Sequence, residues 1–407
     1  MDHNHKKSEQ GQAIVYLVLG LVVFFGFVAF AIDGGMVLAD RRNAQNAADA
    51  AALAGAGAAA RLMSLAAPEC YKDWVCTDAF KDAARDAAIT RGGQNNFTLE
   101  TNFDHSNGVV VTCDSGGLYL DVTVEISTTT PSNFLQLVFP SALHNKVQSV
   151  ARANAEQPVW MDAAVIGLNP AGCIGGNGVT LNGSGDTTVI GGGIFSNGCL
   201  QGNGAAGEAT VEGGDAQGHY LQPGNLTWDP EPTLTSDTIQ TSDFYIPPPP
   251  LDASGNCIGG ENVNSLPATM HAGLWCVQGN LNINKNIKSD VGGVTIYMKN
   301  GHIFYNGNAT VDLSAPGPDP DPSPAIPGIL FYVPNGQAVT VNGTSDDHFS
   351  GMIYAPKSDI QLTGNADNIF NGQVIGWNVK VGGSNIMTVN YDDCNAYVRP
   401  PSIELYK

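Results

Sequence analysis

Apolar and polar positions divide the chain into three parts with different patterns. Residues 13–32 form an uninterrupted apolar run, and residues 33–64 are dominated by alanine. From about residue 160 onward, short runs of Val, Ile, Leu and Phe alternate with polar residues and are separated by Gly and Asn. Twenty residues at a helical rise of about 1.5 Å span the roughly 30 Å hydrocarbon core of a bilayer. The pattern therefore predicts a transmembrane helix, a helical stem and a mainly β remainder.

The N-terminal 32 residues have two possible interpretations, a retained anchor and a secretory signal. Lys6 and Lys7 lie in the short segment 1–12, and Ala29-Phe30-Ala31 fits the small-x-small pattern of a cleavage site. However, the apolar run continues through that site and enters a helical segment. We therefore favour a single-pass anchor with residues 1–12 in the cytoplasm, residues 13–32 in the membrane and an extracytoplasmic C-terminal part.

The alanine-rich stem, residues 33–64, has near-maximal helix propensity. Arg42, Asn46 and Asp49 recur at spacings of four and three and share one stripe of this helix. Small side chains elsewhere let a second element approach closely. The sequence leaves open whether that element belongs to this chain or to another envelope protein.

Two segments carry a family resemblance, GQAIVYLVLG from residue 11 and AIDGGMVLADRRNAQNAADAAALAGA from residue 31. They resemble the N-terminal signature of TadE/TadG-like proteins of tight-adherence (Flp-type) pilus systems. The matching positions are Arg42, Gln45, Asn46, Ala48, Asp49, Ala50, Ala51, Leu53, Ala54 and Gly55. The resemblance implies a structural envelope protein that assists pilus assembly or anchoring, with partners among other pilus-assembly proteins, on a bacterial cell surface or in the periplasm.

Two features depart from that family. Pilin-like members carry Glu five residues after the Gly at which they are processed. Here the fifth residue after Gly11 is Tyr16, which does not favour processing at Gly11. Longer relatives carry an Asp-x-Ser-x-Ser metal motif. The nearest segment here, Asp252 to Asn256, ends in Asn and follows four prolines, so we interpret it as a turn.

Residues 65–157 are predicted to form a small α+β domain. Residues 78–93 have apolar or Ala positions at helical spacing and end in a glycine pair. Strand patterns follow at residues 96–103, 108–113 and 118–130.

Residues 158–395 contain a repeat with a period near twenty. Val339, Ile360 and Val379 begin copies of one short strand element, 21 and 19 residues apart. A second element interleaves with it at 349–354, 370–375 and 386–391, and further copies of the two lie at 179–183, 189–195, 303–307 and 328–333. This spacing predicts a parallel β-helix or similar solenoid, with a β-sandwich as the alternative. Pro-rich excursions without strands are expected at 222–250 and 316–327, and a C-terminal tail at 396–407.

Composition favours an oxidising compartment outside the cytoplasm. Eight cysteines accompany 38 acidic and 18 basic residues, and the net charge of −20 opposes nucleic-acid binding. Cys173 with Cys199 and Cys257 with Cys276 are plausible local pairs, and Cys70 with Cys76 would close a small loop. Cys394 would then pair with Cys113 or remain free. Connectivity stays open, because eight cysteines allow 105 pairings.

The candidates for chemistry are few. Acidic residues lie at Asp346, Asp347, Asp359, Asp367, Asp392 and Asp393, calcium candidates at Asp319 and Asp321, and scattered histidines at His219, His271, His302 and His348. Arginine is nearly absent beyond Arg152, unlike in enzymes that cleave acidic polysaccharides. We assign no catalytic, cofactor-binding or metal-ligating residue and expect no enzyme. The alternatives are a surface adhesin that binds a glycan and, less favoured, a polysaccharide-cleaving β-helix.

Overall fold

The structure is a computed structural model. It describes residues 10–66, 70–103, 107–134, 142–159, 163–175, 177–204, 207–244, 246–317, 323–364, 367–394 and 396–406. The chain divides into two compact units. Unit 1 contains residues 1–66, 74–155 and 401–407, and unit 2 contains residues 67–73 and 156–400.

Unit 1 is built on one long helix, α1 (Gln10–Leu65), which runs from the apolar segment through the stem without interruption. A second helix, α2 (Asp78–Gln94), packs against the stem half of α1 and confirms the helical spacing read from residues 78–93. A Cβ atom on Gly55 would lie 2.7 Å from the carbonyl oxygen of Ala84 in α2. Glycine at this position therefore permits the close approach of the two helices.

A four-stranded antiparallel sheet completes unit 1, in the order β1-β2-β3-β29. Its strands are β1 (Gly108–Cys113), β2 (Tyr119–Thr130), β3 (Leu143–Asn154) and β29 (Ser402–Leu405). The first two confirm the predicted strand patterns. The strand predicted at 96–103 is not confirmed. Among the described residues there, only Glu100 pairs, through an isolated β-bridge.

The predicted C-terminal tail is wrong, because residues 402–405 are the edge strand of this sheet. Arg152 of β3 holds the end of the chain in place. Its guanidinium lies between the rings of Tyr119 and Tyr406, 3.6 and 4.4 Å from their centroids, and makes two hydrogen bonds to Asp121. Sequence alternation did not reveal this strand, since four residues are too few for a periodic signal.

Unit 2 contains two large parallel sheets and one short antiparallel pair. The fourteen-stranded sheet contains β5 (Ala163–Gly167), β6 (Gly178–Leu181), β8 (Gly193–Gly202), β10 (Ala216–Gln222), β12 (Thr233–Leu234), β13 (Glu261–Val263), β15 (Gly273–Val277), β16 (Leu281–Ile283), β18 (Val294–Met298), β19 (Ile303–Tyr305), β21 (Ile329–Tyr332), β22 (Val339–Gly343), β24 (Met352–Gly364) and β26 (Val374–Gly383). The nine-stranded sheet contains β7 (Thr187–Ile190), β9 (Glu208–Glu212), β11 (Thr227–Asp229), β14 (Thr269–Met270), β17 (Ile287–Ser289), β20 (Val311–Ser314), β23 (His348–Ser350), β25 (Asn368–Asn371) and β27 (Met387–Asn390). The short pair is β4 (Gln157–Pro158) with β28 (Val398–Arg399).

These strands form a parallel β-solenoid, which confirms the predicted fold and excludes the sandwich. The repeated elements stack in register, with Val339 beside Ile360 and Ile360 beside Val379. Within the coil that contains β24, the strand shifts register between Ala355 and Asp359 and so serves two faces, and β25 serves the third. Inward positions of all three faces form one apolar core. Stacking is required because a single coil cannot bury its own apolar side.

Coils do not stack in chain order. The last full coil (β26, β27) lies beside the first (β5, β6, β7), so that early coils extend from one side of this seam and late coils from the other. The chain from 235 to 260 connects the two outer ends.

The Pro-rich segment 222–250 differs from the prediction, because it contains strands and part of it is buried. It contains the short strands β11 and β12. Its second half buries Ile239, Phe244 and Ile246 in an apolar cluster with residues of the long sheet. Asn197 holds this segment through both ends of its side-chain amide. The amide nitrogen donates a hydrogen bond to the carbonyl oxygen of Ile239 at 2.6 Å, and the amide oxygen accepts one from the Ile239 N–H at 2.8 Å. For the excursion at 316–327, residues 318–322 lie outside the described residues.

Disulfides join residues near and far in the sequence. Cys173–Cys199 and Cys257–Cys276 confirm the two local pairs. The predicted disulfide between Cys70 and Cys76 is wrong, and so is the predicted disulfide between Cys113 and Cys394. The structure instead pairs Cys70 with Cys394 and Cys76 with Cys113. Proximity in sequence failed here because the fold brings residue 70 to the end of the last coil.

Candidate functional site

The first candidate surface is the N-terminal part of α1. Every large apolar side chain between Ile14 and Ile32 is exposed. The helix is long and apolar enough to cross a membrane. Exposure of so many Leu, Val and Phe side chains to water is unfavourable, which is why such a patch indicates an apolar environment outside the chain.

The stem has a buried and an exposed face. Its small residues pack inside unit 1, and the buried set is Ala44, Ala47, Ala48, Ala51, Ala52, Ala56, Ala59 and Ala60. The predicted polar stripe lies on the other side, where Arg42 and Asn46 are exposed and Gln45 donates a hydrogen bond to Asp49 at 2.7 Å. The close-packing surface of the stem is therefore used within this chain, and a partner would meet the polar stripe.

Among the acidic candidates, Asp347 is a structural residue. Its buried carboxylate accepts hydrogen bonds from the Tyr305 hydroxyl at 2.6 Å and the Val311 N–H at 2.9 Å. It also accepts from the N–H and hydroxyl of Thr344. Burial, and then the bond to Asp347, raise the pKa of Tyr305 above its ordinary value. A carboxylate with this many donors stabilises the turn between two coils.

The neighbouring acids face a groove of the nine-stranded sheet. Asp346, His348 and Asp367 line this groove, whose volume is about 470 Å³. The structure thus brings together three of the candidate side chains that the sequence spaced along two repeats. Thr388 and Asn390 continue the floor, and the Asn390 amide donates to Asn371 at 3.0 Å.

Asp393 belongs to a clamp within unit 2. Its Oδ2 lies 2.8 Å from the Lys72 ammonium and accepts a hydrogen bond from the Tyr71 hydroxyl at 2.8 Å. The next residue, Cys394, is bonded to Cys70. Asp392, Asp393 and Cys394 are close enough in space to share an ion. The sulfur is committed to the disulfide, however, and the Asp393 carboxylate to the ion pair, so this cluster acts as a covalent and ionic tie.

Asp359 lies on a second groove, on the face formed by β6, β22 and the second halves of β24 and β26. Here polar side chains outside the apolar core align from coil to coil in a row that we call the polar row: Gln201, Thr180, Lys380, Gln361 and Thr340. Gln201 and Thr180 are buried, and the other three are half-buried. Four of these five line a groove of about 420 Å³, together with Asp359 and Asn378. The Asn378 amide donates to Asp359 at 2.7 Å. The Thr180 hydroxyl is buried without a hydrogen-bond partner among the described residues.

The remaining candidates lie apart from these grooves. Asp252 closes its own turn by accepting hydrogen bonds from the N–H groups of Ser254 and Asn256, as predicted for this segment. The bond from Asn256 is the main reason that the pKa of Asp252 lies below its ordinary value. A ring nitrogen of His219 lies 2.7 Å from the carbonyl oxygen of Asp237, and the His271 ring is tilted by 55° against that of Trp275. Asp319 and Asp321 lie outside the described residues.

The residues that form the exposed apolar helix and the buried alanine face also match a known family. Residues 11–60 match the family model of putative Flp pilus-assembly TadE/G-like proteins. The N-terminal resemblance is therefore confirmed over those residues.

The solenoid matches a second family model, a domain of unknown function (DUF7305), over residues 273–395. This range contains the late coils from β15 to β27, including the polar row from Thr340 to Lys380. No curated protein and no solved structure matches the chain.

Sequence reasoning did not single out the polar row, although its signal was present. The repeated elements have the form Val-x-Val-x-Gly, and the residues at x point outward. Reading those outward positions across successive repeats gives Thr340, Gln361 and Lys380. The contributions of Thr180 and Gln201 required the three-dimensional coil order.

Proposed function

We propose that this protein is a non-enzymatic, membrane-anchored envelope protein of TadE/G-like type, whose β-solenoid is displayed outside the membrane as a structural component for pilus assembly or attachment. The uncovered apolar surface of α1 within the matched segment carries this proposal. Four disulfides support an extracytoplasmic location for both units, because thiols are kept reduced in the cytoplasm.

Membrane extraction of the full chain tests the anchor. We expect the protein to resist alkaline carbonate, and mass spectrometry to find an N-terminus that retains residues 13–32. The double variant Val22→Arg, Phe25→Arg should be lost from the resistant fraction, because each arginine costs about 2.5–3.5 kcal/mol at the centre of a membrane helix. Val75→Arg, an exposed position in unit 1, is the matched control.

A mature N-terminus at Ile32 would show signal cleavage and contradict the anchor, and a start at Gln12 would show prepilin-type processing. Protease added to intact cells or spheroplasts tests the orientation, since we expect digestion of the solenoid from the outer side. Loss of pili on deletion of the protein, restored by the full chain, tests the assembly role.

The polar row favours glycan binding as a second candidate function. Its amide, hydroxyl and ammonium groups are donors and acceptors suited to sugar hydroxyls, and they repeat at the spacing of neighbouring strands, about 4.8 Å. Binding of the full chain to immobilised envelope polysaccharide should weaken in Gln361→Ala and Lys380→Ala. Lys288→Ala, on the nine-stranded sheet, should leave binding unchanged. Release of new sugar ends, abolished by Asp346→Asn and Asp367→Asn, would support a polysaccharide-cleaving enzyme instead.

A further inference from the structure

The apolar run of α1 ends at a residue that is tied to a distant loop. Asp33 follows Ile32 directly and is 1% exposed. Its Oδ1 accepts a hydrogen bond from the N–H of Asn133 at 3.1 Å, and its Oδ2 accepts from the N–H of Phe134 at 3.0 Å. A carboxylate with two backbone donors is well stabilised at a place where little water reaches it.

Further contacts extend this connection along the helix. The Asn133 amide lies 3.3 Å from the sulfur of Met36, and the Thr130 hydroxyl donates to Asp40 at 2.6 Å. Three helical positions, 33, 36 and 40, therefore hold the segment that leaves β2. This segment has a defined position along the axis of α1.

That position places an aromatic side chain beside the end of the apolar run. Phe134 is 47% exposed, and its own N–H binds the residue that follows Ile32. Phe30 and Ile32, the last large apolar residues of the run, are also exposed, at 65% and 42%. Phe134 is therefore an uncovered aromatic residue whose backbone is tied to α1 at the position where the apolar run ends.

We propose that Phe134 is a second membrane contact, an aromatic side chain held by Asp33 in the boundary between lipid headgroups and acyl chains. This inference rests on the membrane anchor proposed above. Phospholipid is the occupant that we favour, because Phe134 is tied to the residue that directly follows an exposed apolar run long enough to span a bilayer. Fixing the depth and rotation of α1 would be the physical consequence.

Spin labels on the full chain test this proposal in nanodiscs of phosphatidylethanolamine and phosphatidylglycerol. Cysteine variants Phe134→Cys, Val23→Cys and Phe304→Cys carry the label, and power saturation compares its accessibility to oxygen and to a water-soluble nickel chelate. We expect the ratio of oxygen to nickel accessibility at position 134 to lie between the high value at position 23 and the low value at position 304. Phe304 is the control because it lies on the solenoid and has an exposure similar to that of Phe134. Asp33→Ala should lower the ratio at 134 and leave that at 23 unchanged.

The outcomes separate the two proposals. A water-like ratio at 134 with a lipid-like ratio at 23 overturns the interfacial contact and retains the anchor. Low accessibility of position 134 to both reagents shows a protein partner and also overturns it. A water-like ratio at 23 contradicts the anchor itself. Circular dichroism of Asp33→Ala distinguishes a local release of the segment from unfolding of unit 1.

Discussion

Val179 and Val379 lie side by side in parallel register although they are 200 positions apart. This pair is the centre of the seam at which the last coil of the solenoid meets the first. Both side chains are buried, as are those of Leu181 and Val381 in the next inward positions. The seam makes the early and late coils one continuous core, so that damage there should destabilise both.

Gly382 offers a direct test of the seam. Its φ is +143°, and an added Cβ would lie 1.7 Å from the carbonyl oxygen of Asn182 in the first coil. Gly382→Ala should lower the free energy of unfolding by about 2–3 kcal/mol, measured by denaturant titration of the full chain. Gly172→Ala, with open space around the Cβ position, is the control. Equal stability of the two variants would show that the coils at the seam are not in close contact.

Replacing Asp347 separates structure from chemistry among the acidic residues. Asp347→Ala should cost about 3 kcal/mol, since it leaves the Val311 N–H buried without its acceptor and removes the acceptor of the Thr344 N–H, while the Tyr305 hydroxyl keeps only the carbonyl oxygen of Ala309. Asp346→Ala should change stability by no more than about 0.5 kcal/mol, as expected for a surface position. Thermal unfolding by circular dichroism measures both. A fully stable Asp347→Ala protein would contradict the structural role.

The C-terminal strand depends on Arg152. The hydrogen bond from its guanidinium to Asp121 is the main cause that raises the pKa of Arg152, so the group stays charged. Arg152→Lys should destabilise unit 1 by about 1–2 kcal/mol, because lysine loses the bidentate bond and the stacking on Tyr119 and Tyr406. Hydrogen exchange should then rise first at 402–405. Arg399→Lys, an exposed position, should leave exchange in that strand unchanged.

Alkaline pH should unfold unit 2 through its buried tyrosines. Burial raises the pKa of Tyr354 from 10.0 to about 12 and also raises that of Tyr332, whose ring lies 5.5 Å from that of Tyr354. Because the unfolded chain releases these protons first, stability should be unaffected below pH 10 and fall as the pH rises from 10 to 12. Tyrosinate absorbance and circular dichroism should therefore change together. Ionisation of all tyrosines near pH 10 with a native spectrum would contradict this.

Local patterns in the sequence were sufficient for the elements that bury one face at a regular period. The apolar run, helix α2 and the Val-x-Val-x-Gly strands could be read directly, because side chains alternate every two residues in a strand and about every 3.6 in a helix. Even the in-register stacking of Val339, Ile360 and Val379 followed from their similar spacings of 21 and 19 residues. The disulfides Cys173–Cys199 and Cys257–Cys276 could also be predicted, because the two cysteines of each pair lie close together in the sequence.

Contacts between distant residues required the tertiary structure. The bond from Phe134 to Asp33 spans 101 residues, and the disulfide from Cys70 to Cys394 spans 324. No short-range pattern specifies such pairs, because each partner alone resembles an ordinary loop residue. The same holds for the seam and the polar row, where stacking interactions decide which coil neighbours which, and one Val-rich strand offers the same backbone hydrogen bonds as the next.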